Sequence, residues 1–271
     1  MRLVGAEFAK LFSTRMWWLL LIVLVGYVAF ISGLFALLFG ALADQLGPQG
    51  GTPPEGIADL NQLVYSSATS IGYVFPVLLG ALAVTAEFRH QTLTPTFLAT
   101  PRRGRVLAAK IVALAVAGAG FGVAAFAAAI AVGAPLLGIG DVDPAVDETE
   151  TWLLVARGIL AMALWGVIGV GLGALVPNQV AVIVIVLAFT QFVEPILRSA
   201  AAFWDWAAQV GQYLPGSASD ALVGSSFFAA LSTGGQNVPT LEWWQGGLVL
   251  AGIAVVATLV GHVTTWKRDV T

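Results

Sequence analysis

The chain has 271 residues, of which 58% are hydrophobic and only 10% charged, with a mean hydropathy of +0.89. A soluble domain carries about a quarter charged residues, so this composition cannot cover a water-facing surface and points to a membrane protein with little soluble mass. The net charge of −3 argues against a nucleic-acid footprint, and the absence of cysteine removes disulfides, thiolate metal sites and cysteine nucleophiles.

The first predicted element is a basic amphipathic segment, 1–16, in which Val4, Phe8, Leu11 and Phe12 recur at helical spacing with Glu7, Lys10 and Ser13 off that stripe. Such a segment is expected to lie in the membrane interface and to turn into the bilayer near Arg15–Trp17. A plain membrane anchor explains the pattern by itself. Six apolar runs then follow, near Trp17–Ala41, Ser66–Ala86, Val106–Ala134, Trp152–Val176, Val180–Val193 and Trp243–Trp266. A span needs about 20 apolar residues. The last run has tryptophan at both ends, as expected for rings at two headgroup layers. The small-residue stretch Ala41-Leu42-Ala43 resembles a cleavage site. The apolar run before it is much longer than that of a signal peptide, so the first helix is expected to be retained.

Charge sorts these runs. Arg2, Lys10, Arg15, Arg89, Arg102, Arg103, Arg105, Lys110, Lys267 and Arg268 fall on one side of an alternating six-span chain, with only three acids. Arg157 and Arg198 fall on the other, with twelve. The sides therefore carry +7 and −10, hidden within a total of −3. Basic residues stay inside, which predicts cytoplasmic termini and a multi-pass plasma- or inner-membrane protein. Asp141, Asp143, Asp147, Glu148 and Glu150 form one acidic outer loop.

The connection 87–105 is the most informative stretch. It holds two Thr-Pro pairs, and threonine suits a helix N-cap as proline suits the first helical position. Thr94-Pro95 is therefore expected to start a short helix carrying Phe97 and Leu98, and Thr100-Pro101 the helix of span three. Flanked by arginines, this helix is suited to docking on a partner, although a positive-inside loop with interfacial aromatics has the same composition. Within the spans, Pro76 is a candidate kink, and Gly118-x-x-x-Gly122 and Gly169-x-x-x-Gly173 allow close helix approach.

The fifth run is short because Glu194-Pro195 interrupts it, and a residue before proline avoids helical geometry. The segment 195–242 is too apolar for a solvated loop and too broken for a span, so short re-entrant helices dipping into the outer leaflet are expected there. Arg157 and Glu194 sit near the outer ends of successive spans and are read as a structural charge pair, with Arg198 four residues beyond Glu194. No zinc-protease or phosphate-binding-loop motif occurs, and the lysines sit at the basic face, so no catalytic constellation is visible.

Taken together, the layout resembles the permease subunits of ABC-2-type exporters. The resemblance is carried by Ala6-Glu7-Phe8-Ala9-Lys10-Leu11 leading into Ser13-Thr14-Arg15, by the run Glu87-Phe88-Arg89 to Pro101-Arg102-Arg103 with Arg105 and Lys110 beyond it, and by Glu194-Pro195 and Tyr213-Leu214-Pro215-Gly216. It implies an all-α polytopic chain, 1–271, forming one transmembrane permease domain. It also implies a separate ATP-binding subunit that holds ATP and magnesium, and a second, identical or related, permease copy. No cofactor in this chain and no nucleic acid are implied. Glu87, Arg89, Arg102 and Arg103 would orient the coupling loop. The helix from Thr94 and Pro95 would insert Phe97 and Leu98 into a groove on the ATPase. Phe30, Phe35, Phe189 and Phe192, on spans one and five, become candidates for lining a substrate pathway, with lipid-facing or packing roles as the plainer reading. The expected activity is export of a lipid, drug or peptide from the cytoplasm or inner leaflet. The alternative is a non-transporting scaffold or sensor that recruits an ATPase through the same loop.

Overall fold

The structure, a computed structural model, describes residues 2–46, 60–200, 204–225 and 240–266, and these are helical without a single strand among them. Six helical stretches are long and apolar enough to cross a membrane: Met16–Gly40, Leu60–Arg89, Arg103–Ile139, Thr149–Leu175, Gln179–Ala200 and Trp243–Thr264.

The chain opens with α1 (Arg2–Ser13), which ends where Ser13 and Thr14 donate their hydroxyls to the Lys10 and Leu11 carbonyls. Span one, α2 (Met16–Leu46), follows at once. Span two is two helices, α3 (Leu60–Ser70) and α4 (Val74–Arg89), separated by a turn at Ile71–Tyr73. The sequence places a kink at Pro76. The break lies just before it because Pro76 has no N–H to offer Gly72, whose carbonyl is taken instead by the Phe75 N–H at 3.1 Å. Span two also begins at Leu60 rather than Ser66, because its polar first turns are held by the acidic loop: the Tyr65 hydroxyl donates to the Pro144 carbonyl at 2.8 Å.

Helix α5 (Leu93–Ala99) starts one residue before Thr94, with Pro95 inside its first turn rather than at its start. Proline is tolerated there because the first-turn N–H groups have no intrahelical acceptor. Thr100 is extended, as the residue before Pro101 must be, and span three, α6 (Arg103–Ile139), starts two residues after that proline. It runs through Pro135, five residues beyond the expected end.

Span four, α7 (Thr149–Leu175), is the packing centre, set against spans two, three and six. Both expected small-residue motifs are used inside this chain. A Cβ on Gly169 would collide with the Val77 carbonyl of span two, and one on Gly118 would lie 2.6 Å from the Met162 carbonyl oxygen of span four. Backbones meet where side chains are absent, which is how membrane helices gain packing without a hydrophobic drive. The resulting layering is uneven: 67% of the most apolar part of span two is buried, against 28% for span one and 22% for span five.

Span five is continuous, which corrects the expected interruption. Helix α8 (Gln179–Ala188) passes through a widened turn at Phe189–Val193 into α9 (Glu194–Ala200). Glu194 is fully helical, and its N–H reaches back five residues to the Phe189 carbonyl. The extra residue in this turn offsets the chain before Pro195 and frees the Thr190 carbonyl, which accepts from the buried Tyr73 hydroxyl at 3.4 Å. Two short helices follow, α10 (Asp205–Gly211) and α11 (Pro215–Val223), and α11 packs on spans four and six. Span six is α12 (Trp243–Gly261), ending in a second widened turn at His262–Trp266.

Candidate functional site

Among the described residues, two groups of charged side chains are buried. The first lies at the end that carries α1 and α5. On α1, Leu11 of the apolar stripe is buried together with Glu7 from beside it, whereas Phe12 is exposed and stacks on Phe8 and edge-on to Trp17. Glu7 faces inward because its partner is there. Lys110, 2% exposed, reaches Glu7 at 2.5 Å and Glu87 at 3.2 Å. Lys10 closes the ring, at 2.9 Å from Glu7 and 2.8 Å from Glu87. Two carboxylates and two ammoniums thus alternate, joining α1 to the end of span two and the start of span three.

The electrostatics of the α1 members follow from this geometry. Burial pushes the Glu7 carboxyl up, but Lys110 and Lys10 outweigh it and hold Glu7 below its ordinary 4.5. Burial pulls Lys10 down, and the Glu87 and Glu7 carboxylates raise it above 10.5. Both groups are therefore held in their charged forms.

The loop beyond this ring is only partly as expected. Phe97 does not point outward. It packs edge-on against Trp266 with ring centres 5.6 Å apart, under the Arg103 guanidinium at 4.9 Å. The Trp266 ring N–H in turn donates to the Arg103 carbonyl at 3.2 Å. The end of span six thus takes the phenylalanine that the sequence offers to a partner. Leu98, at 80% exposed, is the apolar side chain that α5 presents. Thr94, Pro95 and Arg102, on the same connection, are also exposed. Arg89 donates to the Gln179 side chain at 3.0 Å, tying the end of span two to the start of span five.

The second group lies at the opposite end of the spans, and it corrects the expected Arg157–Glu194 pair. Arg157 sits over the Trp243 ring at 4.8 Å. Glu194, 2% exposed, pairs instead with Arg198 one turn along, at 3.0 Å, and Arg198 reaches across to Asp220 of α11 at 2.7 Å. The helical path through Pro195 puts residues 194 and 198 on one face, so the i,i+4 partner wins over the one on span four. Glu194 Oε1 also accepts the Ser217 N–H from the first turn of α11 at 3.1 Å. Asp220 accepts a further bond from Ser70, beside the break in span two, at 3.2 Å.

This second group borders a cavity of about 310 Å³ between spans one, two and five and α11, lined among others by Tyr27, Tyr73 and Gln191. None of Phe30, Phe35, Phe189 and Phe192 lines it. Phe30 and Phe192 are exposed on the outer surface of spans one and five, Phe35 packs on Phe39, and Phe189 is half-buried in the widened turn. One signal points to Lys110: a lysine seven residues inside an apolar helix has to be paired. Asp220 and Ser70 had no such pointer, since only the tertiary fold brings them to Arg198.

No family model matches the chain, and no curated protein matches it.

Proposed function

We propose that the chain is the membrane-spanning permease subunit of an ATP-driven exporter for a hydrophobic or amphiphilic substrate, working with a second permease copy and a separate ATP-binding subunit. The observation that carries this reading is the charge ring Glu7–Lys10–Glu87–Lys110. It fastens α1 to both flanks of a connection whose α5 exposes Leu98 and which also carries Arg89 and Arg102. A partner that pulls on α5 would move α1 and spans two and three as one unit, because breaking the ring strands buried charge. Poorly buried faces on spans one and five leave room for a second copy and a pathway between them.

In this reading the basic end faces the cytoplasm with both termini, the membrane is the plasma or inner membrane, α1 lies in its cytoplasmic interface, and α10 and α11 dip into the outer leaflet. ATP and magnesium belong to the partner. Leu98 is the coupling contact, and Phe97 shapes α5 from within. The test is co-purification of the tagged chain with an ATPase from its own membrane. Leu98→Asp is expected to abolish association while the chain stays folded, whereas an ATPase that stays bound to Leu98→Asp removes the coupling assignment.

A further inference from the structure

Arg157 and Arg198 stand toward the end of the spans opposite the charge ring, and they are held differently. Arg198 is ion-paired to Glu194 and Asp220. Arg157 rests on the face of Trp243, its guanidinium carbon 4.8 Å from the ring centre, and among the described residues it forms no hydrogen bond or ion pair. Its side chain is half-buried, but none of its nitrogens is sealed inside the protein. Nη1 lies 3.4 Å from the position of a Cβ on Gly224, just past the C-terminal end of α11, where the helix dipole favours a cation. That field holds the guanidinium in place and takes none of its five N–H donors. Arg157 lies eight residues into span four, about 12 Å along the axis at 1.5 Å per residue. Unmet donors are costly at hydrocarbon depth, so the side chain is expected to reach for the headgroup layer. The surroundings mark that layer: Trp243 opens span six, and Trp152, Trp243 and Trp244 are all exposed, as rings at a membrane interface are. Deeper in the bundle the surface is apolar, with Leu160, one turn beyond Arg157, and Leu248 of span six both exposed. The acids that precede the two spans, Glu148, Glu150 and Glu242, are exposed too.

We propose that Arg157 binds the phosphate of a zwitterionic phospholipid, with the headgroup ammonium drawn to the acids around Glu242 and an acyl chain on the surface of Leu160 and Leu248. A guanidinium fork meets two phosphate oxygens at once, which uses the donors that the protein leaves unmet. The acid-rich rim repels a free anion and an anionic headgroup, whereas it attracts the cationic half of a zwitterion. The stack on Trp243 and the end of α11 fix the guanidinium before the lipid arrives, so little ordering is left to pay on binding. The site lies on spans four and six rather than on the weakly buried spans one and five, and it needs no ATPase. Its failure and the failure of the exporter reading are therefore separable.

The experiment uses the full chain, delipidated in dodecyl maltoside, titrated with phosphatidylethanolamine and read by native mass spectrometry as the fraction of chains that carry lipid. Saturable binding is expected, with phosphatidylglycerol binding more weakly. Neither a diacyl galactolipid, which lacks phosphate, nor excess inorganic phosphate is expected to displace the bound lipid. Arg157→Gln is expected to weaken binding about tenfold or more, the loss of a charged hydrogen-bonding partner. Trp243→Leu is expected to weaken it about threefold, because the guanidinium loses the ring that positions it. Displacement by inorganic phosphate identifies a free-anion site, displacement by the galactolipid an apolar surface alone, and equal or tighter binding of phosphatidylglycerol a merely cationic patch. Each of these results overturns the proposal, as does a folded Arg157→Gln protein that binds like the parent. If Arg157→Gln does not fold, Trp243→Leu decides, and parent-like affinity in that variant overturns it.

Discussion

The two buried charge groups differ in their arithmetic and in their surroundings. At the basic end, Glu7, Glu87, Lys10 and Lys110 alternate two against two. At the other end, Glu194 and Asp220 face one Arg198 and border a cavity. The ring alternates its charges and ties α1 to spans two and three, and each group leaves one buried carboxylate oxygen, Glu87 Oε2 here and Glu194 Oε2 there, without a hydrogen-bond partner among the described residues. The group around Arg198 joins span five to α11 and to the break in span two, and it borders a cavity. The first packs three helix ends together, and the second lies beside open volume, although both are carboxylate–cation clusters near the ends of the spans.

The ring is broken most severely at Lys110. Lys110→Met leaves Glu7 and Glu87 buried with only the half-exposed Lys10 to share, and removing one partner of a buried ion pair costs about 3 kcal/mol or more. Equilibrium unfolding of the purified chain in mixed micelles should show a loss of this size. Lys10→Met, at a more solvated site, should cost about 1 kcal/mol or less in the same assay.

On the other side of the comparison, Tyr73→Phe removes the donor that satisfies the Thr190 carbonyl freed by the widened turn. A loss of about 1 kcal/mol is expected, with no change at the basic end. A variant as stable as the parent would show that the turn stands without that bond.

The smallest effect is the pH response of the ring. Glu7 is held below its unfolded value, so its contribution is complete above about pH 4.5 and is lost as pH falls through the lowered value. Lys10 is held above its unfolded value, so its contribution is complete below about pH 10.5 and is lost as pH rises through the raised value. Melting curves between these limits should therefore show a plateau for this ring with a decline on both sides. Glu7→Gln should remove Glu7's share of the acid decline.

The sequence made the six spans and the charge asymmetry legible, because hydropathy and the placement of Lys and Arg are properties of the chain itself. Its boundaries failed where tertiary contacts overrule local rules. Leu60–Tyr65 looked too polar for a span until Tyr65 met the acidic loop. Pro195 looked like a stop until a widened turn carried the helix past it, with Tyr73 taking the freed carbonyl. The candidate site was legible in its loop and not in its partners. Leu98 could be read from local spacing, but Phe97 was expected outside because nothing in residues 87–105 reveals that Trp266 lies beside them. Arg198 lies four residues after Glu194, but pairing the two needs a helix that runs through Pro195, which the local preference of a residue before proline disfavours.

The most direct measurement is ATP-dependent flux in sealed proteoliposomes that contain this chain and its co-purifying ATPase, loaded with a fluorescent amphiphilic amine. The account predicts outward-directed movement that requires ATP and disappears in Leu98→Asp, although that variant folds as stably as the parent. Association with an ATPase but no ATP-dependent flux of this or any other amphiphile would contradict it and leave a recruiting scaffold in its place.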